Sequence, residues 1–99
     1  MLDLGRVVGF DWDEGNARKS ERHGVSQMEA EDVFFDPRLF VAADPRHSAE
    51  EPRLHALGET SSGRRLHVTF TLRADNTRIR VISARAMHRK ERAIYEGQG

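Results

Sequence analysis

The chain has 99 residues, and its 16 basic and 16 acidic side chains give a formal net charge of zero. This length predicts a single domain, residues 1–99, with a modest core and a shallow site but no room for separate cofactor and substrate domains. The absence of cysteine excludes disulfides, a thiol nucleophile and cysteine-based metal sites. No apolar run approaches the roughly 20 residues of a membrane span and no secretory signal is visible, so we expect a cytoplasmic protein without a membrane partner.

The beginning of the chain predicts a strand and a helix. An apolar run at residues 6–10 is typical of a strand. Asp13, or alternatively Asp11, is a good N-cap for a polar helix that runs to about residue 22 or 23. Gly24 then ends this helix, because glycine readily adopts the left-handed conformation found just beyond a helix.

A second helix has the clearest start signal in the sequence. Ser26 and Glu29 have the spacing of a capping box, and Val25 and Ala30 have the spacing of a hydrophobic staple. The helix is expected to stop at residues 36–37, where a proline disfavours helical backbone in the residue before it.

From residue 39 onward, the apolar spacing changes to the period of two that is typical of strands. Strands are predicted at residues 39–43, 53–60, 65–72 and 78–84, with a polar loop at 46–52, turns at 61–64 and 73–77, and a last helix at 87–95. The order β-α-α-β-β-β-β-α predicts an α+β two-layer domain with a mostly antiparallel sheet, two N-terminal helices and one C-terminal helix. One face of the sheet should meet helices, while the other stays at least partly open to a ligand.

The charge of the chain is segregated. Residues 1–60 carry seven basic and thirteen acidic side chains, a net charge of −6, whereas residues 61–99 carry nine basic and three acidic ones, a net charge of +6. This asymmetry indicates either a basic surface that faces a polyanion or an internal charge match between the two parts of the chain.

The sequence contains few patterns that hold a cofactor. Its five histidines show no pair at helical i, i+4 spacing, and neither a phosphate-binding glycine loop nor a serine-hydrolase elbow is present. His55 and His67 could face each other across a hairpin as a surface pair. We therefore expect no cofactor and no metal site.

Arginine and histidine side chains near the predicted sheet and last helix suit metal-free cleavage of RNA. In such a reaction the ribose 2′-hydroxyl attacks the neighbouring phosphate, arginine neutralises the developing charge, and a histidine moves a proton. The residues of this group are Arg64, Arg80, Arg85, His67 and His88. Each also has a purely structural interpretation, for example an ion pair between Arg80 and Glu59.

Several segments together resemble the BrnT toxin family over residues 7–96. They include FDWDEGN at 10–16, RHGVS at 22–26, VFFD at 33–36, DPRHS at 44–48, LGET at 57–60 and IRVISAR at 79–85. The resemblance implies a RelE-like fold and a type II toxin, a metal-independent endoribonuclease that inhibits translation. It also implies a BrnA-like antitoxin partner with a ribbon-helix-helix part, an RNA substrate, and contact with operator DNA only through the antitoxin complex.

The resemblance also assigns expected site residues. The family's polar positions fall on His23, Glu59, Arg64, Arg85 and His88, which we expect to be catalytic; we expect Arg80, His67, Arg89 and Lys90 to contact RNA. Arg64, Arg80 and Arg85 should then line one uncovered surface of the sheet. The alternative is a catalytically inactive binding module that only engages its antitoxin and takes part in operon repression.

Overall fold

The computed structural model describes residues 4–44, 46 and 52–97. These residues form a five-stranded sheet with helices packed against it. The element order β-α-α-β-β-β-β-α confirms the predicted α+β architecture. The elements are β1 (Gly9–Phe10), α1 (Glu14–Arg22), α2 (Gln27–Asp32), a 3₁₀ helix (Val33–Phe35), β2 (Phe40–Asp44), β3 (Arg53–Glu59), β4 (Arg65–Arg73), β5 (Arg78–Ala86) and α3 (Arg89–Glu96).

The sheet is mostly antiparallel, as predicted. Its strand order is β1-β5-β4-β3-β2, and only the pair of β1 with β5 is parallel. Because side chains alternate along a strand, each strand contributes to both faces. We call the face of Leu66, Val68 and Phe70 the inner face, and the face that carries His67, with Arg85 opposite it on β5, the outer face.

The inner face forms the main core against the N-terminal helices. Val25, Ala30 and Val33 are fully buried there against the apolar side chains of β3, β4 and β5. Phe34 meets Phe70 edge to face, with ring centroids 4.9 Å apart. Apolar burial on this face is the main force that holds α2 and the 3₁₀ helix on the sheet.

Local signals set the ends of α1 where the sequence predicts them. Asp13 is the N-cap, and its carboxylate accepts from the backbone N–H of Asn16 at 3.0 Å. The side-chain amide of Asn16 also donates to the carbonyl of Val81 at 2.7 Å, which ties α1 to β5. Gly24 follows the helix with φ of 75°, the predicted left-handed conformation.

The second helix begins as predicted and ends earlier. Ser26 is the N-cap of α2 and forms the expected capping box with Glu29. The α-helix ends at Asp32, however, and tightens into the 3₁₀ helix before Asp36 turns to extended backbone. A 3₁₀ turn is a common way to end an α-helix, and apolar periodicity alone does not distinguish the two.

The helix α3 covers one end of the outer face. It begins at Arg89, two residues later than predicted, and Tyr95 on it is fully buried with Leu57 and Met87 in a second apolar cluster. The phenol O–H of Tyr95 donates to the carboxylate of Asp36 at 2.5 Å. The outer face is thus covered at this end by α3 and stays open beside it, where a cleft remains.

Other boundaries differ from the predictions by a few residues. The first strand is only Gly9–Phe10 because residues 4–7 form a turn, in which the N–H of Val7 donates to the carbonyl of Leu4 at 3.1 Å. The predicted loop at 46–52 lies largely outside the described residues.

Among the described residues, none of the helices has the length and apolar character that a bilayer span needs.

Candidate active site

The guanidinium of Arg64 points toward the connection between α1 and α2. Its Nη1 donates to the carbonyl of Gly24 at 3.0 Å and to Oε2 of Glu29 at 2.8 Å. Because α2 packs on the inner face, this ion pair turns the guanidinium away from the outer face. The structure thus does not bring Arg64 onto one surface with Arg85.

Arg80 forms a separate ion-pair group at the start of α1. Its Nη2 donates to Oδ2 of Asp13 at 2.7 Å, and its Nη1 lies 3.5 Å from Oδ1 of Asp11. Glu59 is not its partner, because that carboxylate pairs instead with Arg65 at 3.2 Å. The expected row of Arg64, Arg80 and Arg85 along one surface is therefore replaced by three separate groups.

Arg85 and His67 are neighbours on the outer face, in register across β4 and β5. The Arg85 guanidinium donates two parallel hydrogen bonds to Glu91 on α3, at 2.8 and 2.9 Å. A second partner of this carboxylate is the backbone N–H of His88, at 2.8 Å. Burial opposes ionisation of Glu91, yet the hydrogen bonds from Arg85 and from His88 lower its pKa to about 2.

His67 is nearly buried between charged neighbours. Burial and the positive charge of Arg85 lower the pKa of His67 to about 4, although Glu91, 3.9 Å from its Nε2, acts in the opposite direction. The imidazole is therefore neutral at pH 7 and has a nitrogen that can accept a proton.

His55 lies diagonally across β3 and β4 from His67, with ring centroids 4.9 Å apart. The two histidines meet on one hairpin as expected, but the expectation of a surface pair is wrong because His67 is buried. Nε2 of His55 lies 3.0 Å from Oδ2 of Asp44 and its Nδ1 lies 3.2 Å from the hydroxyl of Thr69. Both ring nitrogens of His55 have partners, so the ring is held in one orientation. His55 and Glu91 were not among the predicted site residues.

These side chains surround a cleft of about 340 Å³ on the outer face, between the sheet and α3. We call it the outer-face cleft; it is lined by Phe40, Ala42, Arg46, His55, Leu57, His67, Arg85, Glu91 and Ile94. It combines apolar side chains with two guanidiniums, two imidazoles and one carboxylate. Such a combination can hold a base or ribose beside a phosphate.

A larger cavity, of about 680 Å³, lies at the start of α1 and is a weaker candidate for an RNA site. Asp13, Glu14, Lys19 and Arg80 are among its lining residues. The charge of Arg80 is already matched by two carboxylates, and the exposed carboxylates would repel a phosphate group.

Two expected catalytic residues lie elsewhere. His23 is exposed at the C-terminal end of α1, where a helix dipole favours a basic side chain. Glu59 pairs with Arg65, beside the buried ring of Tyr95, and does not line the outer-face cleft. The structure does not bring either residue to Arg85 and His67.

The remaining expected residues lie at the start of α3, next to the outer-face cleft. His88 is the N-cap, and Arg89 and Lys90 follow in the first turn with exposed side chains. The positive charges of Arg89 and Lys90 lie close in sequence to Glu91, which lines the cleft.

Within the described residues, no group of three histidine, aspartate or glutamate side chains could hold a metal ion.

The fold and the site define a small α+β domain with a polar cleft on its sheet. The chain matches the family model of the ribonuclease toxin, BrnT, of type II toxin–antitoxin systems over residues 12–91. The chain therefore belongs to the BrnT family of ribonuclease toxins, and this membership implies an antitoxin partner and an RNA substrate. No curated protein matches the chain in a sequence comparison.

Proposed function

We propose that this chain is a metal-independent endoribonuclease that cuts RNA in the outer-face cleft and thereby inhibits translation. The observation that carries the proposal is that Arg85 and His67 lie side by side, in register on β5 and β4, in one cleft on the sheet. They supply two of the functions that the reaction requires, since Arg85 can neutralise charge and His67 can accept a proton.

In the proposed reaction, the ribose 2′-oxygen forms a bond to phosphorus while the bond from phosphorus to the 5′-oxygen breaks. The proton of the 2′-hydroxyl passes to His67, and the departing 5′-oxygen takes a proton from water. The hydroxide left by that water then takes the proton from His67, which restores the neutral imidazole. The guanidinium of Arg85 donates to the phosphate oxygens, where negative charge develops in the transition state. The products are a 2′,3′-cyclic phosphate and a 5′-hydroxyl end.

The low pKa of His67 suits its role once a phosphate is bound. In the free protein, burial and the charge of Arg85 lower this pKa to about 4, so the imidazole is neutral before RNA binds. A bound phosphate adds negative charge beside the ring and offsets the charge of Arg85. Both effects raise the pKa of His67 toward the operating pH, where a general base is most effective.

Cleavage by the purified protein tests this proposal. Single-stranded RNA incubated with the protein and excess EDTA should be cut to fragments with 2′,3′-cyclic phosphate ends. Arg85→Ala should lower the cleavage rate by about 10²-fold or more, since one donor to the developing charge is lost. Arg80→Ala is the matched control, because Arg80 lies on the same strand but outside the cleft.

Growth of a host that expresses the chain gives a second readout. Arg85→Ala should relieve the growth arrest, whereas Arg80→Ala and Arg64→Ala should not if they remain folded. Toxicity of a folded Arg85→Ala variant equal to that of the unmodified chain would refute the proposed cleft.

One observation favours the alternative of an inactive module that only engages its antitoxin. The guanidiniums of Arg64, Arg80 and Arg85 all pair with carboxylates of this same chain. A phosphate must therefore compete with these carboxylates for each arginine. RNA that stays intact in the cleavage assay, together with binding of the antitoxin, would establish this alternative.

The partner and the compartment follow from the same proposal. We expect a BrnA-like antitoxin with a ribbon-helix-helix part, which carries the DNA contacts of the complex at the operator, and we expect the toxin to act in the cytoplasm. Copurification with the product of the neighbouring reading frame, and binding of operator DNA only by the complex, test these expectations.

A further inference from the structure

We propose that Glu91 is a positioning residue of the outer-face cleft, which orients the guanidinium of Arg85 and supplies the negative charge beside His67. This inference rests on the proposed function and adds a residue that was not among the predicted site residues. Its basis is the set of contacts that one carboxylate makes to three separate parts of the site.

The first contact is the two-point ion pair with Arg85. Two parallel hydrogen bonds of 2.8 and 2.9 Å fix the plane of the guanidinium as well as its position. A single hydrogen bond would leave the group free to rotate about the bond axis. The pair thus determines which N–H groups of Arg85 remain available to a phosphate.

The second contact fixes Glu91 itself. Its Oε1 accepts from the backbone N–H of His88 at 2.8 Å, so the carboxylate is tied to the first turn of α3. The far end of that helix is anchored by Tyr95, which is fully buried and bonded to Asp36. The carboxylate is therefore held by a helix that is fastened to the sheet at its other end.

The third contact is electrostatic and concerns His67. The charged or titratable groups that act on the pKa of this ring are Arg85 on β5, His55 on β3, Glu91 on α3 and His88 at its N-cap. Arg46 lines the same cleft and adds a further positive charge. Among these groups only Glu91 is negative, and its Oε2 lies 3.9 Å from Nε2 of His67. A protonated His67, which forms during the proposed reaction, is stabilised by this charge.

Two opposite effects on catalysis follow from these contacts. Glu91 competes with a phosphate for Arg85, so its removal should tighten RNA binding. Glu91 also orients Arg85 and stabilises protonated His67, so its removal should slow the chemical step. If Glu91 only stabilised the fold, its replacement would change neither KM nor kcat of the folded protein.

Glu91→Gln tests the inference, because glutamine keeps the size and one acceptor oxygen but removes the charge. The expected result is a lower KM for a single-stranded RNA and a kcat that falls about tenfold or more, since small misplacements of reacting groups are costly. Glu96→Gln is the matched control on the same helix, because Glu96 pairs with Arg65 outside the cleft. Equal kcat and KM in the two variants would overturn the positioning role.

An NMR titration of His67 provides a readout that does not depend on RNA cleavage. The pKa of His67 should fall further in Glu91→Gln and stay unchanged in Glu96→Gln. If Glu91→Gln does not fold, Glu91→Asp gives the same test, since the charge moves back by one methylene and the pKa should fall by less. An unchanged titration overturns the inference, whereas inactive unmodified protein overturns only the proposed function.

Discussion

His67 combines burial with an adjacent positive charge, and both act against its protonation. Burial and Arg85 lower its pKa to about 4, whereas in the unfolded chain the imidazole has its ordinary value near 6.5. Between these two values the unfolded chain binds the proton and the folded protein does not. Protonation therefore favours unfolding as the pH falls through this range.

We predict that the free energy of unfolding decreases by about 2 kcal/mol between pH 7 and pH 5 because of His67. The contribution is fully present above pH 6.5 and is lost progressively as the pH falls toward 4. Urea denaturation at several pH values measures it. His67→Gln should remove this part of the pH dependence, while His23→Gln, which changes an exposed histidine, should keep it.

Signals confined to neighbouring residues were read correctly from the sequence. The Ser26–Glu29 capping box and the left-handed Gly24 depend only on the few residues around them, so their pattern determines the local conformation. The contact between His55 and His67 was predictable because both residues lie on one hairpin, but the burial of His67 was not, since it depends on packing that is distant in sequence.

At the scale of elements, the order of helices and strands was predictable, whereas the position of the last helix was not. Apolar spacing distinguishes strands from helices, but it does not say on which face a short helix packs. The placement of α3 on the outer face depends on Tyr95, whose partner Asp36 lies 59 residues earlier. Glu91 was missed for the same reason, because only this packing brings it over β4 and β5.

We predict that Tyr95→Phe lowers the free energy of unfolding by about 1.5–3 kcal/mol, the usual cost of losing a hydrogen bond to a charged group. The ring still fills its buried site between Arg38 and Arg65, but Asp36 loses the phenol as a partner. Chemical denaturation measures the change. Tyr95→Phe that is as stable as the unmodified protein would show that this hydrogen bond does not anchor α3.

At the scale of the whole molecule, the segregated charge is partly matched within the chain. Arg64 and Arg80, from the basic part, pair with Glu29 and Asp13, from the acidic part, across 35 and 67 residues of sequence. Composition revealed the asymmetry but not these partners, because contacts so distant in sequence exist only in the folded state. Of the two interpretations, the internal charge match thus describes these two arginines.

The salt dependence of RNA binding distinguishes the arginines that contact phosphate from those that only pair internally. Each phosphate contact to single-stranded RNA contributes about −0.7 to the slope of log K against log salt concentration. We predict that Arg85→Ala reduces the magnitude of this slope by about 0.7, while Arg80→Ala leaves it unchanged. Fluorescence anisotropy with a non-cleavable 2′-deoxy oligonucleotide measures both, and equal slopes for the two variants would contradict the assignment.

The close packing of Gly58 on β3 against Val33 predicts which mutations inactivate the toxin. A Cβ at this position would lie 2.7 Å from Cγ1 and 2.9 Å from the carbonyl oxygen of Val33, closer than such atoms approach one another. Every missense change of this codon adds a Cβ and should therefore disturb the fold. Mutants that escape growth arrest by the toxin should accordingly carry changes at residue 58 as well as at Arg85. Low soluble yield would mark the former as packing defects, since overfilling a tight contact costs about 1–3 kcal/mol.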